Sequence, residues 1–274
     1  MLTFIPTPIG NPQDITIRAL RAFEKATLFL CEDTRETKRL LRILEERFEF
    51  MYPSEMVDFL SFHEHNGEAR LQEIASRLEK EEVVYVSDAG MPIISDPGQV
   101  LVAYCQTENI DYDVLPGGTA MATAYAASGF KEGSFTFCAF LPQKGGERTS
   151  ALIEVMNAKS NTVFYEAPHR IEKLIGEIVH IDAKREVFFA KELTKKFQNY
   201  YRGSAKEILE AFENGTINPK GEWVVVIKAK EEEAKALYVD DILAFELQPK
   251  VKAKLLAKLT NKSVKEWYNE LIAQ

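Results

Sequence analysis

The residues equipped for chemistry sit in loops that follow apolar runs. In the first half these loops are Thr7-Pro8-Ile9-Gly10-Asn11, Cys31-Glu32-Asp33-Thr34-Arg35, Ser87-Asp88-Ala89-Gly90-Met91-Pro92 with Ile93 and Ile94 beyond it, and Leu115-Pro116-Gly117-Gly118-Thr119-Ala120. Glycine and proline there let a backbone approach a ligand closely and hold that approach rigid. Any one of these loops is ordinary turn chemistry. Four together, with small residues at Ala89, Gly90, Thr119 and Ala120, favour a shared ligand site. The second half supplies Phe140-Leu141-Pro142-Gln143-Lys144 with Arg148 a turn further on, Tyr165-Glu166-Ala167-Pro168-His169-Arg170, and Lys191-Glu192-Leu193-Thr194-Lys195. As a cluster, Lys144, Arg148, Arg170, Lys191 and Lys195 would form a basic rim that attracts an anionic substrate. For any single one of them, a solvated face is the plainer reading.

Other chemistries lose ground. His63 and His65 flank Glu64 and would point the same way on a strand, but two histidines do not define a metal site, and none is expected. The chain has no G-x-G-x-x-G after its first apolar run, no G-x-x-x-x-G-K-[ST] and no G-x-S-x-G. Dinucleotide-binding, P-loop and hydrolase-elbow readings are weakened accordingly.

The elements that must carry these loops alternate. Apolar runs at 2–5, 27–31, 58–62, 83–87 and 112–115 are separated by amphipathic stretches, one of them capped by Asp14 and carrying Ile17, Leu20 and Phe23 on one face. Strands spaced by helices predict an α/β fold with a mostly parallel sheet, whose ligands sit at the carboxyl ends of its strands. After Pro116-Gly117-Gly118 the pattern changes. Strands are expected at 135–141, 162–165, 186–190, 199–203 and 222–229, and two of them follow one another directly, which predicts a mixed sheet. The expected division is 1–116, 117–230 and 231–274. The last piece carries six lysines and no acid between Gln248 and Lys265, on two short helices joined near 260–263. It reads either as a surface hairpin or as a small basic module touching phosphates.

Composition agrees with two moderate α/β domains plus an extension in 274 residues. Thirty-four Lys and Arg against 42 Asp and Glu give a net charge of −8, which argues against a general nucleic-acid or membrane binder while allowing a local basic surface. Three widely spaced cysteines and an N-terminus without a signal-peptide pattern predict a cytoplasmic protein.

The motif set TPIGN, CEDTR, HEHN, VSDAG, LPG, FLP, PHR and KELTK, collinear from Phe4 to Lys228, resembles the ribosomal RNA small subunit methyltransferase I family of the tetrapyrrole (corrin/porphyrin) methylase superfamily. Met91, Gly118, Thr119 and Ala167 depart from the residues usual there. The resemblance implies two α/β domains with S-adenosyl-L-methionine in the cleft between them, a homodimer, a helical C-terminal extension, and 2'-O-methylation of a cytidine ribose in the decoding region of 16S rRNA. It implies cofactor contacts from Pro8, Asp88, Ala89, Gly90, Ile93, Ile94, Thr119, Ala120, Tyr165, Glu166 and Ala190.

In-line methyl transfer needs alignment and a route for the 2'-hydroxyl proton. Asp33 is the first candidate for accepting it, then Glu166 and Glu192. Arg35, His63, Lys144, Arg148, Arg170 and Lys195 are expected to contact RNA. The alternatives are carbon methylation of a precorrin or uroporphyrinogen, and a ribosome-binding module without catalysis.

Overall fold

A computed structural model describes residues 1–63, 66–94, 98–131, 133–230 and 238–272. The first apolar runs become strands because both their faces are covered. β1 (Leu2–Ile5), β2 (Leu28–Cys31), β3 (Asp58–Ser61), β4 (Val83–Val86) and β5 (Tyr112–Val114) form a parallel sheet in the order β3-β2-β4-β1-β5. β1, β2 and β4 are buried at every position, as central strands of a parallel sheet should be. Side-chain alternation divides them between two cores. Leu2, Phe4, Leu28, Leu30, Val83 and Tyr85 pack against α3 (Gly67–Leu78) and α4 (Gln99–Glu108), whereas Ile5, Phe29, Cys31, Val84 and Val86 pack against α1 (Ile17–Lys25) and α2 (Thr34–Arg47). Since all five strands run the same way, all five following loops emerge at one edge.

The second sheet contains β6 (Phe135–Phe140), β7 (Asn161–Glu166), β8 (Glu186–Lys191), β9 (Asn199–Ser204) and β10 (Trp223–Ile227), in the order β6-β7-β10-β8-β9. Only β6 and β7 are parallel; β10 runs antiparallel to both β7 and β8. The expectation of a mixed sheet is met. One face carries α6 (Gly145–Met156), α7 (Ile171–Asp182) and α8 (Ala205–Glu213) over Phe164, Phe189, Trp223 and Val225. The other packs Ala124 of α5 (Ala120–Ser128) against Val163, Phe188, Val224 and Val226. The small residues of α5 let it lie close to the sheet.

Several helix starts follow from capping. The Asp33 side chain accepts from the Arg35 amide at 2.8 Å, and Ser204 forms a reciprocal box with Glu207. One expectation is corrected. Asp14 does not cap α1; it ends a short 3-10 turn, and Thr16 caps the helix by accepting from the Ala19 amide at 3.1 Å. A hydroxyl three residues before that amide has the better reach.

Residues Met1–Lys230 make one compact unit and the remaining residues a second. The second holds α9 (Val239–Ala244), which sequence patterning did not anticipate, and the expected helix pair α10 (Pro249–Leu259) and α11 (Val264–Ile272). Trp267 Nε1 donates to Thr260 Oγ1 at 2.7 Å and fixes the turn between α10 and α11. Lys250, Lys254, Lys258, Lys262 and Lys265 are exposed, while Lys252 donates to the Leu243 carbonyl at 2.7 Å. Among the described residues no helix is long and apolar enough to cross a membrane.

Candidate functional site

The loop after β1 is held at both ends. Thr7 and Gly90 exchange backbone hydrogen bonds at 3.0 Å, tying it to the loop after β4. Gly90 has φ +82, a conformation that side chains resist. Four residues on, the Asn11 amide donates to Thr194 Oγ1 at 3.0 Å, joining the loop after β1 to the loop after β8. Gly10 permits that junction: a Cβ there would lie 2.5 Å from Lys195 Cγ and 2.8 Å from the Leu193 carbonyl oxygen. Glu192 and Thr194, at φ 49 and 62, adopt left-handed backbone to make the turn.

These junctions enclose a cavity of about 410 Å³, within the usual range for small-molecule sites. Ile9, Ala89, Gly90, Met91 and Ile94 line it from the first sheet's loops, with Thr119 and Ala120 at the start of α5. The second sheet adds Phe140, the stretch Tyr165 to Pro168, Leu193, and Glu222 to Val224. The start of β10 arrives at this end because it runs antiparallel to β7 and β8, so Trp223 lies opposite both Glu166 and Lys191. The walls are mainly apolar, with small residues at Ala89, Gly90, Thr119, Ala120 and Ala167, and suit a nucleoside-sized ligand.

Seven expected cofactor residues line this cavity: Ala89, Gly90, Ile94, Thr119, Ala120, Tyr165 and Glu166. Four do not. Ile9 takes the lining position beside Pro8. Asp88 turns toward Asp33, whose amide donates to its carboxylate at 3.1 Å. Ile93, at φ 77, packs against the first core, and Ala190 is wholly buried beneath the cavity wall.

The charged candidates fall into distinct settings. Glu166 is buried, and both its oxygens are engaged: one by the Ala167 amide and the Arg170 guanidinium, the other by Arg148 at 3.1 Å. Arg148 also holds Glu177 at 2.9 Å and donates to the Pro142 carbonyl at 3.2 Å. With only 3% of its side chain exposed, it offers a phosphate no approach, which corrects the expectation that it contacts RNA. The same geometry braces the wall through Glu166, whose two oxygens are both committed to these partners. Arg170 is 14% exposed and donates to the Leu141 carbonyl at 3.2 Å.

Asp33 caps α2 and pairs with Arg35 at 2.7 Å. The Arg35 side chain first, then its amide, hold the Asp33 carboxyl at about 2, below its ordinary value. Burial, together with the Glu32 charge, raises the Asp88 carboxyl above its ordinary value. Glu192 accepts from the Glu222 amide at 2.8 Å and from Lys195 at 3.3 Å, beside the cavity residues Leu193 and Glu222. Lys195 also reaches Glu222 at 2.8 Å.

Arg35 and Lys144 are exposed at the N-termini of α2 and α6. The His63 amide donates to Asn66 Oδ1 at 2.9 Å, past the end of β3 and outside the cavity lining. Glu64 and His65 of the histidine motif lie outside the described residues, as do Ser95, Asp96 and Pro97. Among the described residues no group of three or more His, Cys, Asp or Glu is placed to hold a metal ion.

Ile9, Met91, Phe140, Ala167, Pro168 and Leu193, all in the loops named from the sequence though not singled out as cofactor residues, also line the cavity, and Glu222 to Val224 were missed. Strand-end position was the signal for the loops. The start of β10 carried none, since only its pairing brings it there.

The family model for the tetrapyrrole (corrin/porphyrin) methylases matches residues 1–209. The chain is 42% identical over 279 residues to a ribosomal RNA small subunit methyltransferase I of Helicobacter pylori, covering 98% of this chain and 96% of that protein. A protein of the same description from Thermotoga maritima is 42% identical over 231 residues, covering 84% of this chain and 99% of its own. The fold is similar to a uroporphyrin-III C-methyltransferase of Thermus thermophilus crystallised with S-adenosylhomocysteine: TM-score 0.55 at 14% identity, over 83% of this chain and 96% of that one.

Proposed function

The chain belongs to the tetrapyrrole (corrin/porphyrin) methylases and, within them, to the ribosomal RNA small subunit methyltransferase I group, and from that premise we propose that it methylates the 2'-oxygen of a cytidine ribose in the decoding region of 16S rRNA. The observation that carries this reading is the cavity at the shared edge of the two sheets, lined by seven of the residues expected to hold the methyl donor. S-adenosyl-L-methionine fits that cavity: Ala89, Gly90, Thr119 and Ala120 leave room near the backbone, and Tyr165 offers an aromatic wall. Bound there, the sulfonium supplies an already activated methyl group. A homodimer in the cytoplasm, and the division of residues 1–230 near Pro116, are parts of the same proposal.

The protein's work is to align and to accept a proton. The left-handed turns at Gly90 and Glu192 fix the loops that shape the cavity. The Arg148–Glu166–Arg170 group holds the Ala167–Pro168 wall from behind. Of the three carboxylates considered, Glu192 is the best placed to take the 2'-hydroxyl proton. It adjoins the cavity, and its second oxygen makes no hydrogen bond among the described residues. Arg35, Lys144, Arg170 and Lys195 remain the proposed phosphate contacts in this unit, joined by the exposed lysines of α10 and α11.

Transfer of label from S-adenosylmethionine should be measured in parallel on small ribosomal subunits, naked 16S rRNA and uroporphyrinogen III. Label in a 2'-O-methylcytidine, mapped by nuclease digestion and mass spectrometry, is the expected result. Label in the porphyrinogen with none in RNA would overturn the substrate while sparing the cofactor site.

A further inference from the structure

Phe140 occupies a position that packing alone does not explain. On β6, Phe137 packs on the cavity-side core and Cys138 on the opposite one. Regular alternation would send residue 140 to the side of Cys138. Instead the pairing of β6 with β7 steps from Phe137–Val163 to Phe140–Tyr165, so three residues advance against two. Ala139 adopts φ 51 to absorb the extra residue. This bulge turns Phe140 toward Tyr165, with ring centroids 5.4 Å apart and planes at 65°. The residue nevertheless stays 56% exposed at the cavity rim, on the ridge shared with a second hollow of about 620 Å³.

A left-handed alanine, an interrupted ladder and a solvent-facing phenyl ring are all unfavourable in the protein alone. Bulges of this kind re-aim a side chain beside a site. An exposed aromatic face on the rim of a transfer cavity suits a flat partner that arrives with the substrate. A ribose inside a helix is hard to attack in line, so its nucleotide must leave the stack, and unstacked bases are held on aromatic rings. Lys144, exposed four residues further on, lies near enough along the chain to meet a neighbouring phosphate. Resting on the RNA reading above, we propose that Phe140 is the stacking platform for an unpaired nucleobase of the RNA substrate, and that the Ala139 bulge exists to present it.

Phe140→Ala, Phe140→Leu and Phe140→Trp separate the alternatives, assayed as full chains beside the parent on small subunits and 16S rRNA, with S-adenosylhomocysteine affinity measured by calorimetry. Stacking of one base corresponds to a change of about 5- to 150-fold. The expected result is a loss of kcat/KM for RNA in that range for the Ala and Leu variants, carried by KM. Activity should be restored in the Trp variant, and because Phe140 also lines the cavity, S-adenosylhomocysteine affinity should change by much less than the RNA KM in all three. Retained RNA kinetics in Phe140→Ala would overturn the proposal while leaving the RNA reading intact. A parallel loss of S-adenosylhomocysteine affinity would overturn it too, by making Phe140 a cofactor wall. No transfer to RNA by the parent chain would remove both.

Discussion

Arg148→Ala distinguishes a buried strut from a phosphate contact. The guanidinium bridges the buried Glu166 and the partly exposed Glu177 with 3% of its own side chain exposed, so the substitution removes one cation from two acids. Breaking such a pair from one side costs about 3–5 kcal/mol. Glu166 keeps Arg170, and Glu177 keeps Lys173 at 3.7 Å, which places the loss near the lower bound, ~3 kcal/mol. At about 2–4 °C per kcal/mol for a unit of this size, the thermal midpoint should fall by roughly 6–12 °C. Urea denaturation should show a lower midpoint with an unchanged slope. S-adenosylhomocysteine affinity should weaken as well, because the Ala167–Pro168 wall lines the cavity. A midpoint equal to the parent's, combined with weakened RNA binding alone, would refute the strut and reinstate the phosphate role.

Asp33→Asn should turn over normally at neutral pH, since asparagine also caps a helix; a steep loss of kcat with cofactor affinity intact would restore Asp33 as the base. Its carboxyl is held near 2, below its ordinary value. Its stabilising effect is therefore complete above that ordinary value and fades as pH falls toward 2, which acid unfolding of the parent and the Asn variant should reveal. Gly10→Ala forces a Cβ against the Leu193 carbonyl and the Lys195 chain; a loss of about 1–3 kcal/mol in chemical denaturation is expected, with weaker cofactor binding. Ending the chain at Lys230 should leave S-adenosylhomocysteine affinity unchanged and weaken RNA binding, with a shallower salt dependence; equal RNA affinity at every salt concentration would remove the lysine-rich helices from the interface.

What could be read from the sequence divides by range of interaction. β1, β2 and β4 announced themselves because burial on both faces demands unbroken apolar runs, and the loops after them were placed by the direction of a parallel sheet. The place of Ala89–Gly90 and Thr119–Ala120 at the cavity followed from the same logic. The start of β10 did not, since an antiparallel neighbour delivers its first residues where the others deliver their last. Charge was the least legible feature. Arg148 and Lys144 are both cations near the start of α6, yet one is buried on two glutamates and the other is exposed. Nothing in residue type distinguishes them. Helical phase and the acids of β7 and α7 decide. The setting of Asp33 was local: a residue two positions from an arginine at a helix start is drawn into the cap and the ion pair.

The junction from Thr7 through Asn11 has a consequence for how the molecule matures. Its partners are Gly90 and Thr194, and the cavity walls run from Ile9 to Val224. A nascent chain makes the first wall early and the last wall some two hundred residues later. Contacts this distant in sequence close slowly and late in folding. The ligand cavity is complete only when the chain has reached β10, whose first residues supply part of its wall. A ligand that occupies it selects chains that have completed both sheets, stabilising them by mass action while leaving partly folded ones unprotected.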